Sequence, residues 1–385
     1  MAFLALSNIF ELVIRFFLIY VITSSETVDF YGEYSINIVL SQFLVFIFMF
    51  GLGPGMVRAS ATKVNAVLGL KILSVLLGLT SGFIIYFVYD MLLFSIYMFY
   101  YYITLSSYIC TADSKPKNVA KVRGCVYLVL FLSVVSLGGG YDALVFSYGL
   151  CSLGVFILVL LNIDWFENIK FDFDFKYLVK IYVSQVSTFG LKYFERFLFS
   201  NVMSNSEFGL YSLIRDVVNA LCYVLYFPLQ VFWIKDIIKR KLEGKVQGLY
   251  FIRIIKYLII LSFLLCLGVV FLGIIKEYLS GIPIVDKLLS INLWYIIAIV
   301  ILEVMYRFIM VMKDADGEPE YSVYLSIVMM VTLYVTLLLM NITSVVIAMS
   351  IVSLVLIFSY VPVAIFFLFY TYRLIRYERS ILNSI

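Results

Sequence analysis

Five cations stand deep within apolar stretches of this chain: Arg15, Lys192, Arg196, Arg215 and Arg307. Four acids share those stretches: Glu11, Glu195, Asp216 and Glu303. A central Lys or Arg in a membrane costs about 2.5–3.5 kcal/mol on insertion scales, so such residues normally face a bundle interior or a wet cavity. Guanidinium groups hold phosphate through paired hydrogen bonds, and an ammonium acts as a point charge. Partial dehydration strengthens both. The chemistry suited to these types is the binding of an anion, and a diphosphate is a reasonable ligand.

The plainer alternative is mutual neutralisation. Glu11 and Arg15 are four apart, as are Glu303 and Arg307, and Lys192 and Glu195 are three apart. Each spacing puts the pair on one helix face. We favour a functional cavity, because the cations concentrate in the first, seventh and eighth apolar segments. Arg196 and Arg215 have no acid on their own helix face, since Asp216 is adjacent to Arg215 and is expected to point elsewhere. If the chain is a carrier, Glu11, Glu195, Asp216 and Glu303 are the candidates for ion or proton coupling.

Catalysis finds no footing. The chain has no histidine, which removes Ser-His-Asp chemistry, His-ligated metals and His proton relays. Its five cysteines are scattered in or beside apolar runs, so neither a disulfide framework nor a metal site is expected. Gly51-Leu52-Gly53-Pro54-Gly55 lacks the GK[ST] of a phosphate-binding loop and reads as a helix breaker. We expect no catalytic residue, no metal and no cofactor, and hence no enzyme.

The elements that must position these charges follow from composition. The 385 residues are 64% hydrophobic and 14% charged, with mean hydropathy +1.07. Soluble domains average about 45–50% apolar and about 25% charged, so this is an all-α polytopic membrane protein. Its apolar runs are long enough to cross a bilayer and do not alternate as barrel strands would. The first run lacks a basic leader and a small-residue cleavage site, so it reads as a retained span.

Twelve helices are expected, at 3–22, 34–51, 64–89, 91–110, 122–138, 143–162, 177–200, 208–234, 250–275, 288–312, 322–341 and 344–370. They divide into a six-helix bundle at 1–164, a cytoplasmic linker at 165–176 and a second bundle at 177–385. Phe208-Gly209-Leu210-Tyr211-Ser212 lies 177 residues after Tyr31-Gly32-Glu33-Tyr34-Ser35, and at that offset Lys192 falls on Arg15. A buried cation and a Gly turn recurring together suggest two halves built on one plan, as in many transporter folds.

Orientation follows from loop Lys and Arg. With the N-terminus cytoplasmic, seventeen cations fall in cytoplasmic connections, Lys115, Lys117, Lys121 and Arg123 among them, against Lys276 and Lys287 outside. Both termini are then cytoplasmic. Phe171 to Phe175 in the linker alternates Phe and Asp, which suits either a strip on the membrane surface or a solvated linker. Ile238, Leu242 and Val246 share one face of a short helix between spans eight and nine, read as interfacial or as topology-setting charge. Asn341-Ile342-Thr343 matches a glycosylation acceptor in a turn too short to leave the membrane.

The Tyr31–Ser35 motif, the Phe50-Gly51-Leu52-Gly53 to Arg58 end of helix two, and Phe208–Ser212 leading to Pro228 resemble the Wzx-type polysaccharide flippases. That family shares a superfamily with the MATE exporters and the peptidoglycan-precursor flippases. The resemblance implies two six-helix bundles around a central cavity. It also implies an undecaprenyl-diphosphate-linked oligosaccharide as substrate, turned to the outer leaflet of a bacterial inner membrane for O-antigen or a related glycan. Members carry cavity cations, for which Arg15, Lys192, Arg196, Arg215 and Arg307 are the candidates. Partners would be that lipid-linked oligosaccharide, bilayer lipids and the polymerase machinery, with no nucleic acid. Two other readings compete. A glycan polymerase or ligase would carry a large outer loop, whereas the longest outer turn here is short. A drug or cation exporter of the same superfamily would favour an acid-rich cavity.

Overall fold

The computed structural model describes residues 2–25, 28–62, 66–163, 174–204, 206–216, 218–219 and 222, then 256, 260, 263, 297, 299–304, 320–339, 344–352, 354–355, 357, 365, 369 and 372. Among them the regular structure is entirely helical. The N-terminal half contains α1 (Ala2–Ser25), α2 (Val28–Met49), α3 (Leu52–Ala61), α4 (Val67–Val88), α5 (Met91–Ala112), α6 (Pro116–Leu137) and α7 (Tyr141–Leu161). The C-terminal half opens with α8 (Phe175–Val202), followed by helical residues 206–216, 299–304 and 345–352 and the helix Glu320–Leu339. Five described helices are long and apolar enough to cross a membrane. The interfacial segment around 235–248, the surface strip before Asp174 and the Asn341 acceptor lie outside the described residues.

Three expected boundaries are corrected. First, α2 begins at Val28 rather than residue 34, so Asp29 and Glu33 sit in its opening turns, where the helix dipole favours acids. Gly32 is therefore inside a helix and not in a turn. Second, α6 begins at Pro116 rather than residue 122. Ser114 turns the chain with φ 60, and Pro116 takes the first helical position, where its missing N–H costs nothing. Lys117, Lys121 and Arg123 thus belong to a helix and not to a connection. Third, the Gly-rich segment breaks α2 and then forms α3. Phe50 (φ 49) and Gly51 (φ 71) make the break.

The packing of the N-terminal half centres on α5, which touches α2, α3, α4, α6 and α7. Lipid tails are as apolar as leucine, so tight fit and interhelical hydrogen bonds bind helices there. Both are visible. Gly78 and Gly82 on α4 leave room for Tyr101 and Met98 of α5. The Tyr97 hydroxyl shares a 2.5 Å hydrogen bond with Ser81 Oγ, and the Tyr101 hydroxyl donates to the Ser74 carbonyl at 2.7 Å. Lys71 on α4 binds both carboxylate oxygens of Asp113 at the end of α5, at 2.8 and 3.0 Å.

Two buried apolar clusters result, one built mainly from α1–α7 and the other from Phe199 onward. Helices α2 and α8 join them, lying side by side. Leu178 and Leu213 enter the first cluster, and Ile36 packs against the second.

Candidate functional site

Among the described residues, the deep charges gather into three clusters. In the first, Glu11 and Arg15 stand one turn apart on α1, with Arg15 Nη2 2.7 Å from Glu11 Oε1. Arg123 comes from α6 and donates to Glu11 through Nε at 3.0 Å and Nη2 at 2.9 Å. Tyr127, one turn beyond Arg123, accepts from Arg15 Nη2 at 2.5 Å. Its ring centroid lies 4.5 Å from the Arg15 guanidinium carbon, within cation–π range. Two guanidinium groups therefore converge on one buried carboxylate. The Arg15 side chain keeps 29% of its surface exposed, against 11% for Arg123 and 3% for Glu11.

The second cluster bridges the two halves. Arg196 on α8 donates to Asp216 Oδ1 at 2.5 Å and to Ser35 Oγ of α2 at 3.1 Å. Tyr31, one turn before Ser35 on α2, donates to Asp216 Oδ2 at 2.9 Å. One carboxylate thus holds a residue from each half.

The third cluster lies within the C-terminal half. Arg215 Nε is 2.9 Å from Glu195 Oε1, and its Nη2 donates to Glu195 Oε2 at 3.1 Å and Glu303 Oε1 at 2.9 Å. Here two carboxylates converge on one guanidinium. The neighbours Glu195-Arg196 on α8 therefore meet the neighbours Arg215-Asp216 on the next helix, acid to base in both pairs. Successive helical residues point about 100° apart, so each pair sends its two charges to different partners.

This arrangement answers the sequence reading residue by residue. Arg196 and Arg215 do lack an acid on their own helix face, as expected, but each finds one on another helix. Asp216 does turn away from Arg215, and it meets Arg196 instead. Glu303 pairs with Arg215 across helices. Arg307 and the side chain of Lys192 lie outside the described residues. Four residues of the clusters were not among the site candidates: Arg123, counted as a cytoplasmic loop cation, Tyr31 and Ser35, read only as parts of the repeated motif, and Tyr127. Arg123 and Tyr127 carried a signal, a cation and a phenol one helical turn apart at the head of an apolar run.

Ion pairs this deep are costly to bring out of water and are held only when hydrogen bonds satisfy the remaining lone pairs and protons. In the first two clusters Tyr127, Tyr31 and Ser35 supply such hydrogen bonds. In the third, Arg215 Nη1 is buried without a hydrogen-bond partner among the described residues.

No protein-family model matches the sequence, and no curated protein matches it. Solved structures do. A crystal structure of a MATE in complex with MaL6 is 11% identical, with TM-score 0.68 over 97% of this chain and 95% of that one. A Vibrio cholerae MATE transporter is 10% identical, with TM-score 0.64 over 100% and 95%. An outward-facing multidrug resistance MATE family transporter of the MOP superfamily is 10% identical, with TM-score 0.63 over 97% and 96%. At such identities the likeness speaks for the chain trace, which agrees over nearly the full length of each protein: this chain has the fold of the MATE transporters.

Proposed function

We propose that the protein is a flippase. It carries an undecaprenyl-diphosphate-linked oligosaccharide, an O-antigen or related repeat unit, from the cytoplasmic to the outer leaflet of a bacterial inner membrane by alternating access. The observation that carries this reading is the convergence of Arg15 and Arg123 on Glu11, with Arg15 the most exposed member. A guanidinium oriented by a carboxylate and a tyrosine, and partly exposed, suits a phosphate oxygen. The MATE fold supports a membrane transporter and no enzyme.

In this reading the bundles 1–164 and 177–385, joined by the linker 165–176, rock against each other, with both termini cytoplasmic. Arg15, Lys192, Arg196, Arg215 and Arg307 serve the diphosphate, with Arg15 placed first and Arg215, clamped between two acids, last. Glu11, Glu195, Asp216 and Glu303 are the candidates for ion or proton coupling. The bilayer and the glycan polymerase machinery are the partners.

A second reading has one observation in its favour. Glu195 and Glu303 converge on Arg215, and a buried pair of carboxylates suits a drug or cation exporter of the same fold. Deleting the gene separates the readings. Loss of a flippase traps the unpolymerised lipid-linked unit on the cytoplasmic side. Loss of an exporter leaves that unit unaffected and changes drug susceptibility. Loss of a polymerase or ligase leaves single units displayed outside.

A further inference from the structure

The contact between α2–α3 and α8 is built differently at its two ends. At one end it is apolar and close. A Cβ on Gly51 would stand 2.8 Å from the Leu178 carbonyl oxygen and 3.2 Å from Tyr182 N, so backbone meets backbone. Leu178 fills the space beside Gly55, Phe50 stacks on Tyr182 with centroids 4.5 Å apart, and the Arg58 guanidinium lies 3.7 Å from the Tyr177 centroid. At the other end the contact is polar and made by side-chain tips, Tyr31 and Ser35 on α2 against Arg196 and Asp216. Close-packed backbone has no second arrangement at low cost. A set of charged hydrogen bonds does, because each partner can be replaced by another anion or donor.

We propose that the glycine end is the fulcrum of the two halves and that Asp216 is the internal anion of a latch at the other end. Asp216 occupies Arg196 in the same way a phosphate would, and the Tyr31 hydroxyl supplies a second donor. The ties across the halves are Tyr31 to Asp216 and Arg196 to Ser35; a phosphate that takes Arg196 draws it off Ser35 and leaves α2 held by Tyr31 on Asp216 alone, so arrival of the anion loosens the latch. This builds on the flippase reading by naming the contact its headgroup breaks. Asp216 and Tyr31 are here positioning residues, and Arg196 is the group exchanged.

The test uses the full-length protein in proteoliposomes, with its native cysteines replaced and a single reporter, Ile36→Cys. Ile36 follows Ser35 and packs against the C-terminal core. The readout is the rate of modification by a charged methanethiosulfonate. Without added undecaprenyl diphosphate, Asp216→Asn raises the rate about tenfold, the population shift available from weakening a charged hydrogen bond, while Asp216→Glu keeps it near the parent. If Asp216→Asn does not fold, Tyr31→Phe with Ser35→Ala gives a smaller rise of the same sign. An unchanged rate in the folded variants overturns the latch. Next, undecaprenyl diphosphate raises the parent rate, uncharged undecaprenol does not, and the diphosphate adds nothing in Asp216→Asn. An equal rise in Asp216→Asn, or no rise in the parent, overturns the exchange. A flipping assay on the same reporter protein keeps the two proposals apart. Lipid flipped past an insensitive latch defeats this inference alone, and a latch that answers Asp216→Asn in a protein that flips nothing defeats the flippase reading.

Discussion

Arg123 on α6 reaches both carboxylate oxygens of Glu11 on α1, at 3.0 and 2.9 Å, from 112 residues away in sequence. The fork of Arg123 on a single carboxylate ties α1 to α6 and sets where Arg15 points. Arg123→Ala leaves Glu11 buried with one guanidinium. Removing a partner from a buried pair costs about 3–5 kcal/mol. Thermal unfolding in detergent should show a larger loss for Arg123→Ala than for Arg15→Ala, because Arg15 is the more exposed. The reverse order contradicts Arg123 as the anchor.

Arg15→Ala and Lys192→Ala should each impair glycan export more than Lys256→Ala when the proteins are present at equal level. Lys256 is exposed and outside all three clusters. Export is read from surface polysaccharide after complementation of a deletion strain. Equal activity in all three variants removes the anion-site assignment.

Arg215 lies between Glu195 and Glu303, so its loss takes from two buried carboxylates the guanidinium they share. Glu195→Gln removes one charge and keeps a hydrogen-bonding side chain of the same shape. Arg215→Ala should therefore be the more damaging by several kcal/mol. Fluorescence-detected size exclusion after a heating series gives the ranking, and equal damage argues against a shared guanidinium.

Gly51 and Gly138 both have positive φ, at 71° and 93°, yet their surroundings differ. A methyl on Gly138 enters open space and meets backbone strain of about 1–2 kcal/mol. A methyl on Gly51 adds a clash with the Leu178 carbonyl oxygen. Gly51→Ala should be the worse of the two in both yield and melting temperature. Similar values would mean that α2 and α8 have room to separate at that end.

Tyr101→Phe deletes the 2.7 Å bond to the Ser74 carbonyl while keeping the ring that fills the space over Gly78. Interhelical hydrogen bonds in membranes average about 0.6 kcal/mol, so the loss should be small. Gly78→Leu should cost far more, because the ring has no other place. A melting series on the two variants checks that packing outweighs hydrogen bonding between α4 and α5.

The helical, membrane-crossing character was legible from composition alone, because no water inside a bilayer satisfies an exposed backbone and long apolar runs must close their own hydrogen bonds. The deep charges were legible too, since an ion in such a run is expensive and so conspicuous. Their partners were not. Helical spacing reports neighbours three or four apart on one helix, which found Glu11 with Arg15. It could not find Arg123 on Glu11, Asp216 on Arg196 or Glu303 on Arg215, because those contacts depend on which helices lie side by side. Arg123 was assigned to a connection for the same kind of reason: the helix start at Pro116 is set by a local turn at Ser114, and burial of its guanidinium is set by α1. Tertiary structure alone decided that Arg123, Asp216 and Glu303 meet Glu11, Arg196 and Arg215, because only packing brings their helices side by side.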